Sequence, residues 1–314
     1  MALKQDGSVW ATGRNEHGQL GDGSTVDRNG FVNVIASGAE ALAAGRYHSM
    51  VLKEDGSVWA TGRNNDGQLG DGTTDWKTKF VKVMECRAKA MAAGDFHSIV
   101  LKQDGSVWSA GGNSFGQLGT ALMVAKTVKF RPVVRNGVKA IAAGALHSLV
   151  LKQGGSVWSS GQNFFGQLGD GSTSTTKTFG KVISSGVRAV TAGYWHSMVL
   201  KQDGSVWAAG SNLHDQLGDG TSLDKVSFVK VMASGAKVVA AGFGHSMVLT
   251  QEGSVWATGA NLFGQLGDGS TSGKGTFVAI LAPRVGACCT VLSMLRIGNV
   301  LFPEILDISS NLWY

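Results

Sequence analysis

Lys89-Ala-Met-Ala-Ala-Gly94-Asp-Phe-His97-Ser-Ile-Val-Leu-Lys102-Gln-Asp-Gly105-Ser-Val-Trp108-Ser-Ala-Gly-Gly-Asn113-Ser-Phe-Gly-Gln-Leu-Gly119 recurs, with few changes, along most of this chain. Its tryptophan returns at Trp10, Trp59, Trp108, Trp158, Trp207 and Trp256, so the period is 49 or 50 residues. Its histidine keeps the same clock at His48, His97, His147, His196 and His245. A fixed period of this length marks a repeat architecture, in which each copy is one supersecondary unit.

Within a copy the pattern predicts four short strands. Phe80-Val-Lys-Val-Met84 alternates apolar and polar residues, as a half-buried strand does. Lys89 to Ala93 is a run of small residues, His97 to Lys102 is rich in Val, Ile and Leu, and Ser106 to Ala110 carries the tryptophan. Asp-Gly between the last two is a hairpin signal, because both residues tolerate positive φ. Four strands in about 49 residues is the size of a propeller blade, and one such sheet cannot bury both its faces alone. The glycines leave no 3.6-residue apolar period, which excludes a helical solenoid. The expectation is an all-β propeller.

Composition agrees. The 314 residues include 46 glycines and only three prolines, with 43% hydrophobic residues. That suits many short strands and tight turns and supplies enough apolar surface for burial. The formal charge is +6 and the pI near 9.2, but the lysines are dispersed and no run of five basic residues exists. Dispersed charge reads as a solvated surface, so nucleic acid is not the expected main partner. The three cysteines, Cys86, Cys288 and Cys289, form no metal or disulfide framework. With no apolar signal core after Met1, the reading is an intracellular protein, cytoplasmic or nuclear.

The frame Ala-Ala-Gly-x-x-His-Ser-x-Val-Leu-Lys-x-Asp-Gly-Ser-Val-Trp-x-x-Gly-x-Asn-x-x-Gly-Gln-Leu-Gly resembles the repeat of the regulator of chromosome condensation family, over residues 1 to about 281. The resemblance implies a propeller, commonly of seven blades, in which the two chain ends share one. Here the repeat count gives five complete blades, starting near Phe31, Phe80, Phe130, Phe179 and Phe228. An N-terminal hairpin, Leu3 to Thr12, and a strand at Phe277 to Leu281 are left to form most of a shared sixth; an incomplete seven-bladed ring is the alternative. Residues 282–314 read as a divergent tail, a degenerate blade end in which Gly298-Asn-Val-Leu301 faintly echoes Gly-Ser-Val-Trp. Arg284 and Arg296 leave 11 uncharged residues between them, too few for a membrane span.

No cofactor, metal or catalytic site is expected. The five histidines fall in successive blades, whereas metal ligands must converge on one ion. Each imidazole is expected to bond backbone groups between blades with help from the following serine. The six tryptophans are expected to fill the wedge between adjacent sheets. The plant ultraviolet receptor shares this fold and carries Gly-Trp-Arg-His-Thr; Arg46, Asp95, Ala145, Tyr194 and Phe243 stand where its tryptophan would. Gly112-Asn-Ser-Phe-Gly116 matches a nucleophile motif only because Ser114 occupies a variable slot of the repeat. The Gly-Asp-Gly-Ser/Thr loops at Asp22, Asp71, Asp170, Asp219 and Asp268 lack a calcium ligand ladder and read as turns.

The variable positions are the informative ones. Two residues separate the glycine and histidine of each copy: Arg46-Tyr47, Asp95-Phe96, Ala145-Leu146, Tyr194-Trp195 and Phe243-Gly244. A second pair follows the asparagine, including Phe115, Phe164, Phe165 and Phe263. Both lie in turns on one face, and aromatics in exposed turns are what protein interfaces use as anchors. Arg46, Tyr47, Asp95, Phe96, Leu146, Tyr194, Trp195, Phe243, Phe115, Phe164, Phe165 and Phe263 are therefore the candidate partner-binding rim. The expected function is non-catalytic protein–protein interaction. The resemblance implies two alternatives: nucleotide exchange on a Ran-like small GTPase with chromatin association, or substrate recognition in a ubiquitin ligase system.

Overall fold

The computed structural model describes residues 1–122 and 124–282, and no helix occurs among them. The chain forms six antiparallel sheets in succession. Five have four strands: blade one is Ala39–Ala44, His48–Lys53, Val58–Gly62 and Lys77–Met84. Blades two to five repeat this plan over residues 88–134, 138–183, 187–232 and 236–281. A three-stranded N-terminal sheet, Ala2–Leu3, Val9–Gly13 and Arg28–Ile35, precedes them. First strands pack against first strands from blade one through blade five, as the radial stacking of a propeller requires.

The phase of the repeat differs from the sequence expectation by one strand. Trp59 pairs with Lys82, so the Phe80 strand closes the blade that precedes it and opens none. Only Glu85 to Arg87 separate it from the next sheet, and Arg87 makes the corner at φ 67°. The long loop of residues 63–76 lies inside a blade, folded on itself by side-chain bonds, so its length does not mark a boundary. The strand at Phe277 to Leu281, expected beside the N-terminal hairpin in a shared sixth blade, lies elsewhere. Lys274–Leu281 pairs with Val255–Gly259 and completes blade five, while the N-terminal hairpin pairs with Arg28–Ile35. The tail expected at 282–314 lies outside the described residues, apart from Ala282.

The Asp-Gly hairpin forms by a different turn from the one expected. Gly105 N–H donates to the Lys102 carbonyl at 3.0 Å and only the glycine is left-handed, at φ 77°. Asp104 serves instead as acceptor for the Ser106 N–H at 2.8 Å.

Each seam between blades is a stereotyped interlock. Phe80 lies on Gly21 of the preceding sheet, where a Cβ would come within 2.5 Å of the ring. The contact repeats as Phe130 on Gly70, Phe179 on Gly119, Phe228 on Gly169 and Phe277 on Gly218. Between them lie aliphatic clusters, such as Met50, Leu52, Val58 and Leu69 facing Met91 and Val100.

The histidines bond across the same seams, to a hydroxyl where a backbone group was expected. Nε2 of His48, His97, His147 and His196 meets Oγ of Ser98, Ser148, Ser197 and Ser246 at 2.8 to 3.0 Å. Each serine in turn donates to a backbone carbonyl of the blade before it, Ser98 to Gln68 at 2.7 Å. With its hydrogen spent there, the serine accepts from Nε2–H, which fixes the tautomer and leaves Nδ1 a buried, unbonded acceptor. The tryptophans sit at the seam edge, half-buried: Nε1 of Trp59 donates to Ser57 at 3.0 Å and the Lys53 ammonium covers the ring at 4.4 Å.

Candidate interaction face

Two turns per blade, between the first and second strands and between the third and fourth, lie at one end of the propeller. They bring the candidate rim together around the axis. Arg46 of blade one reaches over to blade four, where its Nη1 donates to Tyr194 Oη at 2.9 Å. The same nitrogen lies 3.4 Å from Asp95 of blade two. Asp95 is buried, and burial raises its carboxyl above the usual carboxylate range against the pull of Tyr194 and Arg46. Below this bridge Asp95, Ala145 and Tyr194 each donate a backbone N–H to the next blade's turn, at 3.1 to 3.2 Å.

The rim has two sectors. Over blade one, Tyr47 is flanked by the guanidinium carbons of Arg46 at 4.9 Å and Arg63 at 5.6 Å, and Arg63 also covers Phe96 at 5.1 Å. His17 stands edge-on to Tyr47 at 4.9 Å and to Trp76 at 4.6 Å, and burial lowers its pKa. The arginines here are matched by carboxylates: Arg14 with Glu16, Arg46 with Asp95, Arg63 with Asp66. From the outer turn of blade two through blade five the character is apolar. Trp195 packs on Phe165 at 5.1 Å and on Tyr194 at 4.7 Å, Tyr194 meets Phe243 at 4.5 Å, and Phe115 meets Phe164 at 5.8 Å.

Several of these rings still face solvent for most of their surface. Phe263 is 92% exposed, Phe243 60% and Phe164 57%. Leu262, Leu213 and Leu223, outside the candidate set, are exposed beside them, as is Trp76 in the other sector. Leu146 is half-buried. Leu213 and Leu262 occupy the second variable pair, so the same reasoning that found Phe263 could have found them. Trp76 stands where other copies have Asp27, Thr175 and Asp224, whereas Leu223 matches Val26 and Val124 of two other copies; only comparison of loop tips would have raised them.

The loops are held by an internal knot. Asn64 donates to Asp71 at 3.0 Å, Asp71 accepts from Thr73 at 2.9 Å, and Asn64 Oδ1 accepts from Leu69 N–H at 3.0 Å. The aspartate thus serves the turn. Blade two lacks it: Thr120-Ala-Leu-Met-Val124 replaces the motif and exposes Leu122 and Val124 on the same face. Among the described residues no cluster of three or more His, Cys, Asp or Glu could hold a metal ion. No described helix is long and apolar enough to cross a membrane.

The geometry agrees with what the comparisons return. Yeast RCC1 (Prp20), solved with Kap60, superposes with a TM-score of 0.78 at 24% identity, covering 89% of this chain and 72% of that one. Prp20p from Saccharomyces cerevisiae, in a structure described with its binding properties to Gsp1p and histones, gives 0.78 at 25%, over 89% and 74%. Human WBSCR16 gives 0.76 at 23%, over 87% and 77%. No curated protein matches. The model of the RCC1-like domain matches residues 8–291, and the chain belongs to that family of repeat propellers.

Proposed function

We propose that this chain is a non-catalytic interaction propeller whose loop end docks another protein. The observation that carries this reading is the exposure of Phe164, Phe243 and Phe263 beside Leu213 and Leu262, on turns whose frame is otherwise constant. Large rings left in water on a rigid scaffold are the usual anchors of protein interfaces. RCC1-like propellers in general bind partners or promote nucleotide exchange, in keeping with this. The test is recovery of partners from lysate by the full chain and by a Phe164→Ala, Phe243→Ala, Phe263→Ala variant of unchanged melting temperature. The reading expects specific proteins to be lost from the variant; identical recovery would sink it.

A second reading has one observation in its favour. The Prp20p match, at 25% identity, is to a protein described with binding to Gsp1p and histones. On this reading the loop end engages a Ran-like small GTPase and speeds release of its nucleotide. Labelled GDP would leave such a GTPase faster with the chain present than without it, and an unchanged rate removes exchange while leaving docking intact.

A further inference from the structure

Most of the repeat loops fold around an aspartate, and in four of them that aspartate faces a cation from the strand that follows. Opposite Gly13, Gly62, Gly210 and Gly259 this outer strand carries Arg28, Lys77, Lys225 and Lys274. Their nitrogens lie 2.6 to 3.3 Å from Oδ2 of Asp22, Asp71, Asp219 and Asp268. Arg28, Lys225 and Lys274 also donate to the hydroxyl two residues beyond the aspartate, on Ser24, Thr221 and Ser270. With the cation in place the four carboxylate side chains are only 6 to 12% exposed.

Two blades depart from this plan. Blade two has lost both partners, with Thr120 in the aspartate's place and Thr127 opposite Gly111. Blade three has lost only the cation: Asp170 remains, and Thr176 stands opposite Gly161. Oδ1 of Asp170 still holds the loop, accepting from Asn163 at 3.1 Å and from the Ser172 N–H and hydroxyl at 2.9 Å. Among the described residues its Oδ2 accepts no hydrogen bond and meets no cation, and Asp170 is exposed where its four counterparts are covered. Thr176 Oγ1, at the point from which the other cations reach, is buried and bonds no described group. Lys177, one residue on, belongs to the other face of the strand, where it overlies Gly116 of blade two.

We propose that Asp170 is a seat for a lysine or arginine side chain of the docked protein, filling the place that Lys77, Lys225 and Lys274 fill in their own loops. This rests on the loop end being a docking face, and it names what the partner carries there. Phe164 and Phe165 stand on the same loop, Phe164 largely in solvent, so the partner presents a basic residue beside an apolar one. An ammonium against Oδ2, with the Ser172 hydroxyl beside it, is a charge-assisted bond of the kind the sister loops already make. A calcium ion would call for about six to eight oxygens, and this loop offers a single carboxylate.

The test is a titration of the full chain, read by backbone amide shifts, with acetyl-Leu-Lys-Leu-amide and with its norleucine counterpart. The lysine peptide should bind at least about threefold more tightly and shift Ser172 and Phe164. Thr176→Lys supplies the missing cation from within, so it should abolish the preference for lysine while raising the melting temperature by about 1–2 °C. Asp170→Asn should abolish the preference without that rise. Conversely, Lys225→Thr should open a second seat, with lysine-dependent shifts at Thr221. Equal binding of the two peptides, or a preference that survives Thr176→Lys, would overturn the seat. Saturable shifts at Ser172 with calcium chloride alone would overturn the ligand. Failure of the docking face would show elsewhere, as rim variants that lose no protein from lysate while the lysine preference stays intact.

Discussion

Phe179 and Phe31 hold the same place in the repeat and meet different surroundings. Phe179 rests on Gly119 and packs against the cluster of Leu101, Ile141 and Val150. Phe31, on the outer flank of the N-terminal sheet, is 58% exposed. At the opposite flank Gly267 has no described atom within 4 Å of the Cβ it lacks, whereas Gly119 would meet Phe179 at 2.1 Å. His147 is buried and bonded to Ser197, while His245 is partly exposed with no described partner. The comparison separates what a blade owes to its own strands from what it owes to its neighbour. One residue type in one backbone frame gives the interlock only where another blade supplies its other half.

Substitution in matched pairs can break or sharpen this contrast. The largest difference is expected between Phe179→Ala and Phe31→Ala. Removing the ring from the seam should cost about 3 kcal/mol in urea unfolding, and removing the exposed one less than about 1 kcal/mol. Equal costs would mean that the ring acts within its own blade. Next come Gly119→Ala and Gly267→Ala. Both place alanine in a left-handed conformation, at φ 70° and 73°, which costs about 1–2 kcal/mol. Only the first also drives a methyl into a ring, adding about 1–3 kcal/mol of overpacking, so the difference between the two melting temperatures reads the seam alone.

The smallest effect per residue is a pH dependence. Burial lowers His48 and His147 to about 4 and His97 and His196 to about 3, from an ordinary 6.5. Their folded values lie below the unfolded one, so their stabilisation is present above pH 6.5 and is lost as acid protonates the unfolded chain first. Stability should fall from about pH 6.5 towards pH 4, with each histidine contributing up to about 1.4 kcal/mol per pH unit. His147→Gln, whose amide can still donate to Ser197, should flatten the curve by one proton's worth. His245→Gln should change it less, and an unchanged slope for His147→Gln would remove the seam histidines as the cause.

The strands were legible in the sequence because each carries its own signal: alternation around Phe80, small residues before Gly94, and the tryptophan after an Asp-Gly turn. The blade boundary was not, because a three-residue linker makes a sharp corner at Arg87 while a much longer loop is knotted into a single blade by Asn64 and Asp71. The aromatic turns were legible as variation inside a fixed frame. The bridge from Arg46 to Tyr194 was not, since nothing local joins residues 148 apart. The open seat at Asp170 lies between these cases. Thr176 stands in the sequence where other copies carry Arg28, Lys77, Lys225 and Lys274, yet which carboxylate those cations meet is decided only by the fold of the loop.

The hydrogen-bond chain from histidine to serine to carbonyl gives each blade a sex. A ring projects from one flank and a hydroxyl waits on the other, and the aromatic ring and its glycine seat are divided in the same way. Such units join in one order only, like bricks with a stud and a socket. Duplication of one whole repeat at a linker would add a blade while creating no contact of a new kind. A reversed or half-length insertion would leave two studs facing. The array is therefore open to growth by copying and closed to growth by patching.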